Sequence, residues 1–148
     1  MLNKKNIRNL SPLALLTLSA CGGSSTSTVS TSTVSGAVVK GPLENALAFL
    51  DINKDGVRDS GEPSVRTGSD GSYSTSDTDY NIVAVTDEST VDTSTGTVLA
   101  GVTLSATKGA AVITPMTTMM EQGNLTVAQV ATIFSLPDGV DPLSYNPF

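Results

Sequence analysis

The sequence predicts a mainly β domain that holds an acidic metal-binding loop and is followed by a short α-helical C-terminal segment. Short runs of β-branched and apolar residues, separated by Gly, Pro and Asp, recur along residues 34–109, as is typical of strands joined by turns. A twelve-residue acidic segment interrupts them at residues 51–62. A clear helical spacing of apolar residues comes after residue 110.

The composition excludes several classes of function. The 148 residues include 14 acidic and 8 basic residues, for a formal net charge of −6, and no histidine. Without histidine the common zinc sites, the usual general base and a Ser-His triad are excluded. Three basic residues lie in an N-terminal segment that is expected to be removed, namely Lys4, Lys5 and Arg8. No basic patch is left in the remaining chain, so no nucleic-acid partner is expected.

Residues 1–20 predict a lipoprotein signal peptide. A basic start precedes an apolar stretch, residues 10–20, that is too short to span a bilayer. The stretch ends in Leu18-Ser19-Ala20-Cys21, which resembles the lipobox of bacterial lipoproteins. The resemblance implies that Cys21 is acylated and becomes the first mature residue, and that the lipid attaches the protein to the membrane. By the same resemblance, Gly22 and Gly23 stand where an aspartate often retains lipoproteins at the inner membrane, which implies the outer membrane or cell surface. The alternatives are a plain secretory signal with an incidental cysteine and a short buried helix.

Residues 21–33 predict a flexible tether. Ten of the twelve residues from 24 to 35 are Ser or Thr. Such a segment buries too little apolar surface to offset the entropy of ordering it. We therefore expect it to hold the following domain away from the membrane.

Residues 34–109 predict the β domain. A first strand covers residues 34–40, and residues 43–50 fit either a helix or a strand that leads into the acidic loop. Pro63 follows the loop directly, and residues 69–73 predict a hairpin turn. Because no helix can leave the loop there, we place the loop between strands. Further strands are expected at residues 81–86 and, as two short runs around Gly101, at residues 96–107.

The acidic segment has the ligand spacing of an EF-hand-type calcium loop. Oxygen-bearing side chains stand at its positions 1, 3, 5, 9 and 12, and a glycine that permits a sharp bend stands at position 6. The predicted ligands of Ca²⁺ are the side chains of Asp51, Asn53, Asp55, Asp59 and Glu62 and the main-chain carbonyl of Val57. Four neighbouring carboxylates repel one another unless a cation lies among them. This favours calcium as the cofactor over a solvated acidic turn.

Residues 36–39, the loop at residues 51–62 and residues 67–73 together resemble the B-type repeats of bacterial surface adhesins and the related carboxypeptidase regulatory-like domains. The resemblance covers about residues 34–76 and implies a small immunoglobulin-like or transthyretin-like β-sandwich whose calcium ligands are the six residues named above. Some B-type modules form a Lys-Asn bond. Lys40 could supply the amine, but no asparagine partner is recognisable.

Residues 110–148 predict a helical segment. The run from residue 110 to 120 resembles the "TP-L-TTL" junction that follows calcium-loop modules in large bacterial surface proteins. Met116, Met119 and Met120 are expected to form a helix face, with a copper-binding cluster as the alternative. Thr126 is expected to cap a helix over residues 127–134. Because so short a helix cannot bury its apolar face alone, the segment is expected to be incomplete.

The sequence thus predicts a lipid-anchored bacterial envelope protein whose calcium-stabilised β-sandwich is a structural or adhesion module. The alternative is a surface module that binds a glycan or a protein. An enzyme is not expected, because no nucleophile stands with a base. A two-carboxylate hydrolase would need Asp77, Asp79 or Asp87. Asp77 and Asp79 could also bind a second cation, against the alternative of a solvated turn.

Overall fold

The computed structural model describes residues 33–76 and 79–147, and within them the chain is mainly β. The strands, in chain order, are β1 (Thr33–Val38), β2 (Leu43–Glu44), β3 (Leu47–Asp51), β4 (Ser64–Arg66), β5 (Ser72–Ser76), β6 (Asn81–Val85), β7 (Val91–Asp92), β8 (Thr97–Val98), β9 (Thr103–Ala106) and β10 (Val112–Ile113). Two helices follow, α1 (Pro115–Gly123) and α2 (Val127–Ile133). The predicted fold class, a small mainly β sandwich-like domain followed by a short helical segment, is confirmed.

Two sheets supply most of the architecture. The larger sheet has the strand order β4-β3-β6-β9, and its neighbouring strands are antiparallel. The second sheet has the order β10-β1-β5, in which β1 is antiparallel to β5 and parallel to β10. A small third sheet joins β2, β7 and β8. Side chains from both of the first two sheets meet in one core, which is the packing of a sandwich.

Alternate residues of the strands build this core. Ala48 and Leu50 of β3 pack there with Val38 of β1, and each of the three is at most 1% exposed. Successive side chains of a strand point to opposite faces of its sheet. Phe49, between the two core residues of β3, therefore lies on the other face of the larger sheet, where it is also fully buried.

The other face of the larger sheet carries helix α1. Phe49, Val83 and Ser105 are neighbours across β3, β6 and β9, and all three are buried. The hydroxyls of Thr117 and Thr118 in α1 donate to the main-chain carbonyl of Ser105 at 2.8 and 3.2 Å. The N–H of Ser105 donates to Thr118 Oγ1 at 2.9 Å. Side-chain hydroxyls of α1 therefore hold the helix against the main chain of β9.

The second helix, α2, begins where the sequence predicts, whereas residues 112–113 of the predicted helical segment form strand β10 and the first helix begins at Pro115. Thr126 caps α2, because its side chain accepts from the N–H of Gln129 while the Gln129 side chain accepts from the N–H of Thr126. Met116 and Met120 of α1 pack with Val130 of α2 in a second, smaller core. Other predicted members of the two helix faces are partly exposed, namely Met119 (38%), Val127 (40%), Ile133 (55%) and Phe134 (41%).

The structure decides one open alternative and corrects one prediction. Residues 43–50 form the strands β2 and β3, not a helix. The turn at residues 69–73 is not a hairpin, because β4 pairs with β3 whereas β5 pairs with β1. The turn carries the chain from one sheet to the other. At its centre Gly71 has a φ of +77°, and an added Cβ would lie 2.7 Å from the carbonyl oxygen of Val38. This close approach to β1 leaves no room for a side chain at residue 71.

Several predicted features lie outside the described residues. These are the signal peptide, the lipidated Cys21, the tether up to residue 32, and Asp77. Among residues that the structure describes, no helix is long and apolar enough to cross a membrane.

Candidate metal centre

The predicted calcium loop connects two neighbouring strands of the larger sheet. β3 ends at Asp51, the first predicted ligand, and β4 begins at Ser64, two residues after Glu62, the last one. The N–H of Leu50 also donates to the carbonyl oxygen of Pro63 at 3.0 Å, which closes the base of the loop. The loop therefore lies between strands, as predicted, and the sheet holds both of its ends.

Glu62 folds back onto the start of the loop. Its Oε1 accepts from the N–H of Ile52 at 2.8 Å, and its Oε2 accepts from the N–H of Asp59 at 2.9 Å. Asp51 and Glu62 are each only 6% exposed. The first and last predicted ligands are thus buried carboxylates on the inner side of the same loop.

Asp51 organises the tight bend that follows it. Its Oδ1 and Oδ2 accept from the N–H groups of Asp55 and Gly56, both at 3.1 Å. Gly56 has a φ of +72°, a left-handed conformation that glycine adopts without the steric cost of a Cβ. The glycine at position 6 therefore has the role that the ligand spacing predicts.

Asn53 bridges the middle of the loop. Its Nδ2 donates to Asp55 Oδ2 at 2.9 Å and to Asp59 Oδ2 at 3.0 Å, while its Oδ1 accepts from the N–H of Asp55 at 3.1 Å. A weakly positive amide group thus lies between two carboxylates. A divalent cation among the same oxygens would balance their charge far more completely.

The loop carries uncompensated negative charge. Its four carboxylates, opposed by Lys54 and Arg58, give a formal charge of −2. Within residues 33–76 and 79–147, the ion pairs closer than 4.0 Å are Arg66–Asp87 and Lys108–Asp79, and neither involves the loop. Two unit charges about 5 Å apart repel by about 3 kcal/mol at an effective dielectric of about 20. One divalent cation would cancel the net charge of the loop.

The set of donor atoms fits calcium. Ca²⁺ takes about six to eight oxygen ligands from carboxylates, amides, main-chain carbonyls and water. Val57 is 63% exposed, and its N–H donates to Asp55 Oδ1 at 2.8 Å. Nowhere in the described part of the chain do three or more His, Cys, Asp or Glu side chains form a ready-made metal cluster. The predicted ligands of the loop combine carboxylates with an amide oxygen and a main-chain carbonyl. Its carboxylates also accept hydrogen bonds from main-chain N–H groups of the loop.

The other carboxylates considered from the sequence have partners of their own. Asp79 lies 3.9 Å from the Nζ of Lys108. Asp87 accepts from Arg66 Nη2 at 2.7 Å and from the N–H and hydroxyl of Ser89. The hydrogen bond from Arg66, followed by those from Ser89, holds the pKa of Asp87 well below its usual range. Both acids are therefore engaged in separate surface ion pairs.

A cavity beside the loop is a feature that the sequence analysis did not predict. It has a volume of about 250 Å³ and lies between the loop, the larger sheet and the C-terminal turn of α1. Its polar lining residues come from distant parts of the chain and include both acids and a base, namely Asp51, Lys54, Asp55, Asn81 and Glu121. No local spacing signals such a set. One indication is Glu121, which lies in the last turn of α1. The negative end of the helix dipole disfavours an acidic residue there, so its presence suggests a polar neighbour.

Comparison with known proteins gives no family assignment. No protein-family model matches the chain, and no curated protein or solved structure is significantly similar to it. The description of this loop as a candidate metal centre therefore depends on its ligand spacing, its hydrogen bonds and its charge.

Proposed function

We propose that the chain is a lipid-anchored bacterial envelope protein whose β-sandwich is stabilised by calcium and serves as a structural or adhesion module. The observation that supports this most strongly is the loop between β3 and β4. It brings Asp51 and Glu62 together as buried carboxylates and leaves a formal charge of −2 without an ion pair in the described residues. Calcium is the cation whose ligand preferences match this set of oxygens.

Calcium in this loop would stabilise the folded domain. A cation that binds the folded loop and not the unfolded chain stabilises it by mass action. Extracellular calcium sites have Kd values of about 10⁻⁴ to 10⁻³ M, so calcium at about 2 mM would contribute about 0.6–1.8 kcal/mol. The loop joins adjacent strands of the larger sheet, so this contribution would act on the sandwich itself.

The lipid on Cys21 would set the location of the module. The predicted tether leads from Cys21 to β1, which begins at Thr33 and lies in the centre of the second sheet. The sandwich would therefore be attached through its N-terminal strand. A rigid domain on a tether suits a spacer or an adhesin stalk.

A glycan-binding module is the weaker alternative. Aromatic side chains are the usual platforms for sugars, and Phe49 and Tyr73 are used in packing, at 0% and 5% exposure. Phe134, at 41% exposure, lies instead at the end of α2. The distribution of aromatic residues therefore favours the structural role.

The lipid anchor is tested by metabolic labelling with radioactive palmitate. The wild-type chain should incorporate the label and fractionate with membranes, whereas the Cys21→Ala variant should do neither. Equal labelling of both chains would remove the lipid anchor from the proposal. The calcium claim is tested separately by thermal melting with calcium and with EDTA, and an unchanged melting temperature at millimolar calcium would contradict it.

A further inference from the structure

The amide group of Asn53 holds two carboxylates of the loop together. Its Nδ2 donates to Asp55 Oδ2 at 2.9 Å and to Asp59 Oδ2 at 3.0 Å, while its Oδ1 accepts from the N–H of Asp55 at 3.1 Å. These bonds fix which end of the amide is which. The reverse orientation would set a carbonyl oxygen against two carboxylate oxygens and an NH₂ group against an N–H. The nitrogen of Asn53 therefore faces the two carboxylates.

The two oxygens that Asn53 holds are not bonded to the main chain. The other oxygen of Asp55, Oδ1, accepts from the N–H of Val57 at 2.8 Å. Both oxygens of Asp51 and both oxygens of Glu62 also accept from main-chain N–H groups of the loop. A side chain can leave a carboxylate with less rearrangement than the main chain of a closed loop. Asp55 Oδ2 and Asp59 Oδ2 are therefore the oxygens that a cation can most readily recruit.

The Asn53 amide and a calcium ion compete for these oxygens. Ca²⁺ takes oxygen ligands, and an amide NH₂ group is only a donor. Asn53 must therefore turn its amide over before its Oδ1 can bind the ion, and it gives up both bonds to the carboxylates when it does so. The N–H of Asp55 keeps Asp51 Oδ1 as an acceptor at 3.1 Å. The inversion thus leaves no main-chain donor of the loop without a partner.

We propose that Asn53 sets the calcium affinity of the loop as a built-in competitor. Its NH₂ group bridges Asp55 and Asp59 until calcium displaces it, and the inverted amide then binds the ion through Oδ1. The inference deepens the proposed function and rests on it in that the loop binds calcium. Giving up one net bond to a charged group weakens binding about tenfold or more. The bridge keeps the carboxylates together at low calcium, and the weakened affinity suits the high calcium concentrations outside cells.

Calorimetric titration of the full-length chain, purified in detergent, with calcium chloride tests the proposal. Asn53→Asp supplies an oxygen without an inversion, so this variant should bind calcium about tenfold or more tightly than the wild type. Its melting temperature in EDTA should fall, because two donor bonds are replaced by repulsion between carboxylates. Ser60→Asp is the matched control, since it adds the same charge at an exposed loop position that is not a predicted ligand. Because exposed charges are screened, it should change the affinity by less than about threefold. An Asn53→Asp variant that binds calcium no more tightly than the wild type would overturn the competitor.

Two-dimensional NMR of the ¹⁵N-labelled chain follows the inversion directly. The Asn53 NH₂ resonances are the pair missing from the spectrum of Asn53→Asp. They should lie downfield in EDTA and move upfield at saturating calcium, as both bonds to carboxylates are lost. The NH₂ resonances of Asn124, which lies after α1 and outside the loop, should not move. Calcium binding by the wild type without movement of the Asn53 resonances would overturn the competitor and leave the loop calcium standing. No calcium binding by any of the chains would overturn both proposals.

Discussion

Replacing Glu62 by glutamine should separate a calcium ligand from an ordinary loop acid. Glu62 is 6% exposed and accepts from the N–H groups of Ile52 and Asp59 with its two oxygens. Glutamine keeps one of these acceptors and cannot bind a cation with two carboxylate oxygens. In EDTA two effects oppose each other. The lost acceptor costs about 1–3 kcal/mol, and the removed charge relieves repulsion of about 3 kcal/mol from a carboxylate about 5 Å away at an effective dielectric of about 20.

The calcium-dependent part of the stability is therefore the quantity to measure. At 10 mM calcium a site with a Kd of about 10⁻⁴ to 10⁻³ M contributes about 1.4–2.7 kcal/mol to the free energy of unfolding. A tenfold weaker site contributes about 0.4–1.4 kcal/mol, so Glu62→Gln should lose about 1 kcal/mol. For a domain of this size that corresponds to about 4 °C in the calcium-induced rise of the melting temperature.

The assay is thermal melting of each variant in EDTA and in 10 mM calcium. Asn53→Ser keeps a neutral oxygen at position 3 and should lose less of the calcium-induced rise than Glu62→Gln. Glu88→Gln, at an exposed position outside the loop, should keep the full rise. Equal losses in the Glu62 and Asn53 variants would refute the assignment of Glu62 as the ligand that binds through two oxygens.

Three further predictions concern the sandwich and its surface. Gly36→Ala should destabilise the fold by about 1–3 kcal/mol in chemical denaturation, because the new Cβ would lie 2.5 Å from the Tyr73 hydroxyl; an unchanged midpoint would contradict the packing described here. Burial raises the pKa of Tyr73 from 10.0 to about 12, so its contribution to stability is present below about pH 10 and is lost as the pH rises towards 12. Tyr73→Phe should remove this alkaline loss without lowering stability at neutral pH, and a large loss at neutral pH would reveal a hydroxyl partner. Because Arg66 holds the pKa of Asp87 below its ordinary value of 3.8, this pair contributes stability above that pH and loses it as the pH falls. Asp87→Asn should therefore flatten the acid side of the stability profile by a small amount, since both side chains are nearly half exposed, and an identical profile would rule out the ion pair in solution.

The features that could be predicted from the sequence are those encoded by neighbouring residues. The loop depends on a spacing within twelve positions, and its main-chain bonds from Asp55 and Gly56 to Asp51 follow from that spacing. The cap at Thr126 likewise depends on Gln129, three residues later. Such local rules do not require knowledge of the tertiary fold.

The features that could not be predicted depend on contacts between distant segments. The turn at residues 69–73 has the composition of a hairpin turn. However, β5 pairs with β1, which lies more than thirty positions earlier in the chain, and not with β4. β10 adds to the same sheet in parallel with β1 from within the segment predicted as helical. The cavity beside the loop forms because α1 packs against β9 and brings Glu121 beside Asn81. Periodicity and composition carry no information about which strands become neighbours.

A crystal structure determined in millimolar calcium, with anomalous scattering data, tests the central claim most directly. The account predicts an ion in the loop between β3 and β4, about 2.3–2.6 Å from oxygens of its ligands. Those ligands are Asp51, Asn53, Asp55, Val57, Asp59 and Glu62, with Asp59 bound directly or through water. A loop that stays free of metal at saturating calcium, with Asn53 still bonded to both neighbouring carboxylates, would contradict the account.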